Sequence, residues 1–358
     1  MHRVVILGAG MAGMACARAL TRLGHRPCLV APEHDAANRG ETLSFRAAPF
    51  LEKLGWSGFL DADAAIACQG RYSVWGSSAL RQDTFQQEGE SGWHIDRRRL
   101  EARIAESLVG CVERICGEAR QLSRAPDRIV IDLADGAAIE AGYVIDCSGR
   151  ATVTAGSVTP PRRLDRLVAC YGIYTLDDDV EVAPATLVEA VASGWWYMSV
   201  MPGARVLLGF FTDSDLLPQS LRKNLHAWAD MASQTHAVSA RLVSLGIDAA
   251  ALDQLQFAPA STTTMSRLIE HRIIRAGDAA SALDPLGANG LATALWGGVR
   301  AADSVIGLLA GDDAPSRLYE QQFLEGITSH LVTQRAMYAS ETRFMHEPFW
   351  QRRRGGPG

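Results

Sequence analysis

This 358-residue chain has very little lysine, and it lacks paired cysteines and long apolar runs. Lys53 and Lys223 are its only lysines, and a net charge of −5 gives no electrostatic reason to expect a nucleic-acid partner. Because the seven cysteines are scattered, with no CxxC pair and no Cys/His cluster, no metal site is predicted. No segment approaches the ~18–20 uninterrupted apolar residues of a membrane span.

The first residues of the chain and the pattern of its cysteines predict the cellular compartment. Met1 is followed within a few residues by a strand pattern, without the layout of a signal peptide. An odd number of dispersed cysteines is typical of free thiols in a reducing environment. The sequence therefore predicts a cytoplasmic protein. Its length fits one large or two interlocked domains.

The first thirty residues have the pattern of a βαβ unit. Val4-Val5-Ile6-Leu7 is wholly apolar, as in a parallel strand buried on both faces, and a helical pattern and a second strand follow. The turn between them is Gly8-x-Gly10-x-x-Gly13. Glycines at this spacing allow a tight turn, close approach of backbone N–H groups to a pyrophosphate, and close helix–strand packing. The motif predicts a dinucleotide site for NAD or FAD.

The acidic residue that usually grips the ribose is missing from the end of the second strand. Ala31 occupies that place, and Pro32-Glu33 follows. Glu33 is the candidate replacement.

Strand and helix patterns predict interleaved domains. A helical pattern spans 93–109, a hairpin 129–140 and a buried strand 143–146, whereas the middle of the chain is strand-rich and the segment 221–245 is mostly helical. The predicted α/β fold has a discontinuous dinucleotide domain, an inserted mixed β-sheet substrate domain, and a C-terminal helical segment with a tail. The predicted boundaries are 1–65, 93–156 and 265–310 for the first, 66–92 and 157–264 for the second, and 311–358 for the third.

A second glycine-rich region distinguishes the two cofactors. A predicted strand delivers Gly277-Asp278 to its carboxyl end, where the carboxylate can accept a hydrogen bond from a polyol hydroxyl. The loop Asp284-Pro285-Leu286-Gly287-Ala288-Asn289-Gly290 then leads into a helix. Because a reduced flavin is an anion, a helix N-terminus facing its ring edge stabilises it. The arrangement favours FAD.

Together these motifs resemble the FAD-dependent monooxygenases of the para-hydroxybenzoate hydroxylase superfamily. The segment 144–150 is similar to the family's D-A-T/S-G-R motif, and 95–101 to its R-x-x-L-D/E stretch. The resemblance implies a Rossmann-like FAD-binding domain of the GR2 type. It also implies an FAD-binding set of Gly8, Gly10, Ala12, Gly13, Glu33, Arg39, Arg97, Gly149, Asp278, Pro285, Gly287, Asn289 and Gly290.

Finer features resemble the branch that contains tryptophan halogenase-like proteins and the maturases that hydroxylate a protein-bound tryptophan to make tryptophylquinone cofactors. They lie at 39–43, 194–203, 289–296 and 338–350. The halogenases' W-x-W-x-I-P motif is absent, and their catalytic lysine has no counterpart, since Lys53 and Lys223 lie in helical patterns. Halogenation is therefore disfavoured.

The resemblance implies hydroxylation of an electron-rich aromatic ring through a flavin C4a-hydroperoxide. The expected substrate is an indole or tryptophan, either free or within a peptide or protein. NAD(P)H or a separate flavin reductase would supply the hydride. No second GxGxxG is present, and the resemblance implies a hydride donor that binds transiently or acts through a separate reductase. The alternatives are a flavin-dependent halogenase, a prenyl-chain reductase-like flavoprotein, and a flavin-binding regulator without redox activity.

Two candidate catalytic residues are aromatic. Trp195 and Tyr197 lie on a predicted strand and could sandwich a substrate ring or pack the sheet core. Because successive strand residues face opposite sides, Trp195 and Trp196 cannot line one pocket.

The other candidates are polar, and each has a structural alternative. Asp284 could orient or protonate the substrate, or cap its loop as an Asx-turn. His94 could donate a proton or be an ordinary histidine. Glu41 could contact the flavin or cap a helix. The tail from Phe344 to Arg354 could dock a protein substrate, or be a helix end packed against the FAD domain.

Overall fold

The computed structural model describes residues 3–33, 40–83, 92–155, 160–177 and 180–355. The predicted FAD contact Arg39 lies outside these ranges. The helices are α1 Met11–Arg22, α2 Ala48–Leu54, α3 Arg97–Glu106, α4 Leu225–Ser233, α5 Ala237–Ser244, α6 Gly290–Leu309, α7 Ala314–Ser340 and α8 Pro348–Arg353. The strands are β1 Val4–Leu7, β2 Cys28–Ala31, β3 Gly40–Leu43, β4 Ala65–Ala67, β5 Gly70–Val74, β6 Arg81–Asp83, β7 Trp93–Asp96, β8 Glu113–Cys116, β9 Ala119–Arg124, β10 Ile129–Leu133, β11 Ala138–Ala141, β12 Tyr143–Asp146, β13 Arg162–Arg163, β14 Leu167–Thr175, β15 Ala185–Val191, β16 Gly194–Met201, β17 Arg205–Asp213, β18 Gln256–Pro259, β19 Thr263–Thr264, β20 Ile269–Glu270, β21 Ile273–Arg275 and β22 Ser281–Ala282.

The apolar N-terminal run forms the centre of a six-stranded sheet of order β20-β21-β12-β1-β2-β8. All neighbours are parallel except β20 and β21. Helices α1 and α6 pack together over one face, and the antiparallel sheet β11-β10-β9 covers the other. Strand β1 is therefore buried on both sides, as its lack of polar residues predicts. The predicted α/β fold is confirmed.

A seven-stranded mixed sheet of order β18-β14-β17-β16-β15-β5-β6 stands beside this domain. All of its neighbours are antiparallel except β15 and β5. Helices α4 and α5 cover one face, where Trp196 packs against Trp228 at a ring-centroid distance of 4.6 Å. The opposite face holds Trp195 and contacts α7 and α8. The domain boundaries remain a prediction, although β5 and β6 do join this sheet.

The helical pattern predicted from residue 93 is wrong at its start. Trp93–Asp96 is strand β7, which pairs with β3 and β4, and the helix begins only at Arg97. The Asp96 side chain explains the boundary, because its Oδ1 accepts a hydrogen bond from the Arg99 N–H at 3.1 Å. A carboxylate in this place caps a helix N-terminus.

The C-terminal tail packs against the substrate sheet, which corrects the predicted contact with the FAD domain. Phe349 and Trp350 are completely buried in a cluster with Trp195 and Tyr338. The Trp350 Nε1–H donates to the Val191 carbonyl at 2.9 Å. These aromatic side chains are occupied within the fold, so they do not form a free docking surface.

Two further sequence expectations concern cysteines and membrane spans. All seven cysteines are free thiols, and Cys111 and Cys116 are the exposed ones. Within the described ranges, no helix has both the length and the apolar character needed to cross a bilayer.

Candidate active site

The first glycine turn owes its sequence to packing. Gly8 has a φ of +103°, and a Cβ there would lie 2.3 Å from the Cys147 carbonyl oxygen. A Cβ at Gly13 would lie 1.9 Å from the Gly8 carbonyl oxygen, because the first turn of α1 packs directly on the Gly8 backbone. A side chain at either position would overlap the backbone, so the turn requires glycine at both.

Three other glycines form a cradle around one cavity. Gly10, Gly149 and Gly290 all line it, and a Cβ at any of them would meet nothing within 4 Å. Helices α1 and α6 begin at this cavity, and neither has a side-chain cap or an acidic residue in its first turn. Two uncapped helix N-termini at one cavity suit an anionic dinucleotide. The described residues thus fit FAD.

An arginine–carboxylate network occupies one side of the cavity. Arg97 donates from its guanidinium to Glu41 Oε1 at 2.6 Å and to Glu101 Oε1 at 2.9 Å. The carboxylate of Glu41 raises the pKa of Arg97. Arg97 and Glu41 both line the cavity, so the structure brings these two candidates together. Glu41 caps no helix.

The remaining predicted FAD contacts lie partly at this cavity. Asp278 lines it beside Arg150, whose Nε is 3.7 Å from Asp278 Oδ2. Ala12 and Pro285 also line it, whereas Gly287 and Asn289 line a neighbouring cleft. Glu33 is exposed just beyond β2, and the cavity lining does not include it. Its role toward the ribose stays a prediction.

An aromatic wall faces the cavity from the substrate sheet. Trp195 and Phe211 stack at a centroid distance of 3.9 Å and an interplanar angle of 6°, and both line the cavity. Tyr197 also lines it, and its hydroxyl lies 2.7 Å from Thr42 Oγ1. Burial raises the pKa of Tyr197. Trp196 packs on the opposite face, so the prediction that the two tryptophans diverge is confirmed.

The two neighbouring tryptophans should respond differently to substitution. We expect Trp195→Leu to weaken binding of indole, used as a probe, by about 3- to 10-fold, since an aromatic pair is worth about 0.5–1.5 kcal/mol beyond its area. Trp196→Leu serves as the matched control, because it should lower thermal stability and leave indole affinity unchanged. Calorimetric titration of the FAD-loaded protein measures the affinity. Equal losses of affinity in both variants would contradict the assignment of the wall.

Asp284 links the wall to the glycine loop. Its Oδ1 accepts from the Leu286 N–H at 2.8 Å, and its Oδ2 accepts from the Tyr338 hydroxyl at 2.8 Å and from Gln334 Nε2 at 2.9 Å. Tyr338 Oη in turn accepts from Trp195 Nε1–H at 3.1 Å. Burial raises the pKa of Asp284. The Asx-turn thus uses one oxygen, and the other faces α7.

His94 does not reach the site. His94 is part of β7, and its side chain is buried with Nε2 2.9 Å from Thr186 Oγ1 and does not line the cavity. Burial lowers the pKa of His94 to about 4, so the ring is neutral near pH 7. The prediction that His94 donates a proton is therefore corrected. This histidine packs inside the protein and does not line the cavity.

A cleft of about 750 Å³ adjoins the cavity. Thr42, Leu283, Asp284 and Ala288 line both spaces, which meet at these residues. One wall of the cleft is α7. Three polar residues of this helix were missed by sequence reasoning, although they are spaced by four and so share one helix face: His330, Gln334 and Tyr338.

Neither lysine takes part in the site. Lys53 is exposed on α2, Lys223 is exposed before α4, and neither lines the cavity or the cleft.

Comparison with known proteins gives consistent matches. The tryptophan halogenase family model matches residues 58–356. LodB of Marinomonas mediterranea, assigned as an FAD-dependent oxidoreductase, is 21% identical over 98% of this chain and 96% of its own length. The peptidyl tryptophan dihydroxylase QhpG is 26% identical, with a TM-score of 0.80, over 99% of this chain and 79% of QhpG. The flavin-dependent halogenase CmlS has a TM-score of 0.83 at 19% identity, over 100% of this chain and 68% of its own.

Proposed function

We propose that this chain, which belongs to the tryptophan halogenase family, is a monooxygenase that hydroxylates an indole ring carried on a polypeptide. It is an FAD-dependent oxidoreductase, and FAD is its cofactor. When bound and reduced, FAD supplies the activation of O2 from which one oxygen atom is transferred. The rest of the chemistry belongs to the side chains that bind the ring, exclude water and move protons.

The position of the aromatic wall carries this proposal. Trp195 and Phe211 line the same cavity as the glycine cradle and the loop that begins at Pro285. A flat substrate ring placed against their stacked pair would lie between the wall and the cofactor loop. The wall is buried and largely apolar, so it offers water no hydrogen-bond partners on that side of the reacting atoms apart from the Tyr197 hydroxyl.

We favour hydroxylation over halogenation because no lysine side chain among the described residues lines the cavity or the cleft. The halogenases that the sequence resembles use a lysine between flavin and substrate, and both lysines of this chain lie outside the two spaces. No side-chain amine is therefore available to carry an activated halogen. Transfer of oxygen to the ring needs no such carrier.

The adjoining cleft favours a substrate larger than a single ring. Its 750 Å³ is within the range of about 300–1,000 Å³ that is usual for ligand sites, and it meets the cavity at Asp284. A polypeptide in the cleft could extend one aromatic side chain to the wall. The likeness to the peptidyl tryptophan dihydroxylase QhpG supports the same choice.

Incorporation of ¹⁸O tests this function directly. The FAD-loaded protein, supplied with NADH or NADPH and a flavin reductase, is given ¹⁸O2 and a tryptophan-containing peptide, free tryptophan or indole. We expect the peptide to gain ¹⁸O from O2 and none from H2¹⁸O, and the two free compounds to react far more slowly. Parallel reactions with chloride and bromide detect halogenation. A halogenated product, or hydrogen peroxide as the only product in every arm, would contradict the proposal.

A further inference from the structure

Asp284 lies where a proton acceptor would be needed, and its carboxylate has one hydrogen-bond acceptor site left. It is 2% exposed and lines both the cavity and the cleft. A carboxylate has about four acceptor sites, and three are taken by Leu286, Gln334 and Tyr338. One site therefore remains on a carboxylate that is otherwise fixed in orientation.

The other two carboxylates in the described cavity lining lie beside arginine side chains. Among the described residues they are Glu41, which pairs with Arg97, and Asp278, which lies beside Arg150. Of these three carboxylates, Asp284 is the one that the described hydrogen bonds join to the aromatic wall, through Tyr338 and Trp195. Asp284 is thus connected by hydrogen bonds to the wall against which the ring would bind.

His330 lies on the cleft side of Asp284. It lines the cleft and not the cavity, one helical turn before Gln334 on α7. Its Nε2 is buried and has no hydrogen-bond partner within the part of the chain that the structure describes. Burial lowers the pKa of His330, and the nearby charge of Asp284 opposes this effect. A neutral imidazole whose ring nitrogen has no partner can take up a proton there when that nitrogen carries no hydrogen.

We propose that Asp284 accepts the proton that the ring carbon loses after it has gained oxygen, and that His330 passes this proton to solvent in the cleft. This inference rests on the proposed function. The C–H bond breaks, its electron pair returns to the ring, and an O–H bond forms on Asp284. That O–H bond then breaks as an N–H bond forms on Nε2 of His330, and the N–H bond on the other ring nitrogen breaks to release a proton to water in the cleft. No oxidant or reductant enters these steps.

Deuterium on the substrate ring tests the role of Asp284. If Asp284 acts as the base, proton loss from the ring is fast in the unmodified enzyme, and we expect no primary isotope effect there. In Asp284→Asn we expect product formation to fall by about 10²- to 10⁴-fold, with a clear primary isotope effect, because the general base is lost. The matched control is Glu189→Gln, since Glu189 is also a buried carboxylate with three N–H donors, on the far face of the sheet. That variant should show no isotope effect.

Chemical rescue tests the role of His330. We expect His330→Ala to slow product formation about tenfold or more, and added imidazole, which can enter the open cleft, to restore much of the rate. His226→Ala, at an exposed histidine on α4, is the control and should be neither slowed nor rescued. This variant leaves the hydrogen bonds of Asp284 in place, so it stays decisive if Asp284→Asn does not bind FAD.

The failures of the two proposals are distinguishable. If the unmodified enzyme places no ¹⁸O in any substrate, the proposed function is wrong. If it does so, while Asp284→Asn shows no isotope effect or His330→Ala is not rescued by imidazole, the proton route alone is overturned.

Discussion

Replacing Gly10 by valine should yield a folded protein without colour. Gly10 has φ −76° and ψ −175°, a backbone that any residue adopts, and a Cβ there meets nothing within 4 Å. The fold therefore tolerates the side chain. The added methyl groups fill the cradle at the N-terminus of α1, where the pyrophosphate of FAD would approach the backbone. We expect FAD affinity to fall on the order of 100-fold or more, equal to about 2.8 kcal/mol or more.

The measurement compares flavin content with thermal stability. Gly10→Val should purify with little bound flavin and with the melting temperature of FAD-free unmodified protein. Gly58→Val is the control, because Gly58 also has open space around it but lies outside the cavity. Gly13→Ala should instead fail to fold, since its Cβ would overlap the Gly8 carbonyl. A fully loaded, yellow Gly10→Val protein would contradict the assigned cradle.

The fold could be predicted from sequence where one local pattern allows one structure. The run Val4–Leu7 has no polar residue, so only a strand buried on both faces suits it, and the glycine turn after it fixes the direction of α1. Tryptophans 195 and 196 diverge because alternation along a strand is strict. In both cases the responsible forces act within a few residues.

The site could be predicted only in part, because its chemistry depends on contacts distant in sequence. Asp284 is identifiable from its loop, but its partner Tyr338 lies 54 residues away. Sequence also gives no measure of burial, which keeps His94 neutral, and it does not show that this side chain lies away from the cavity lining. The spacing of His330, Gln334 and Tyr338 was visible in the sequence. It indicates a shared helix face without showing what that face contacts.

Truncation after Met345 should prevent stable folding, because the tail completes the core of the substrate sheet. It removes Phe349 and Trp350, which are 0% exposed, and loss of a buried aromatic side chain costs about 3–5 kcal/mol. It also removes Arg352 and Arg353, which form ion pairs with the Asp213 carboxylate at N–O distances of 2.9 and 2.8 Å. An unpaired buried carboxylate costs about 3–5 kcal/mol.

Together these losses are comparable with the whole stability of a typical domain, about 5–15 kcal/mol. We therefore expect the truncated chain to be insoluble or to unfold well below the unmodified protein in urea. Truncation after Arg354 is the control and should leave the urea midpoint unchanged, since it keeps α8. Trp350→Phe should fall between the two, because it retains most of the buried area and loses the hydrogen bond to the Val191 carbonyl. A soluble truncated protein with an unchanged midpoint would show that the tail is dispensable for the fold, and it would return the tail to the role of a docking segment.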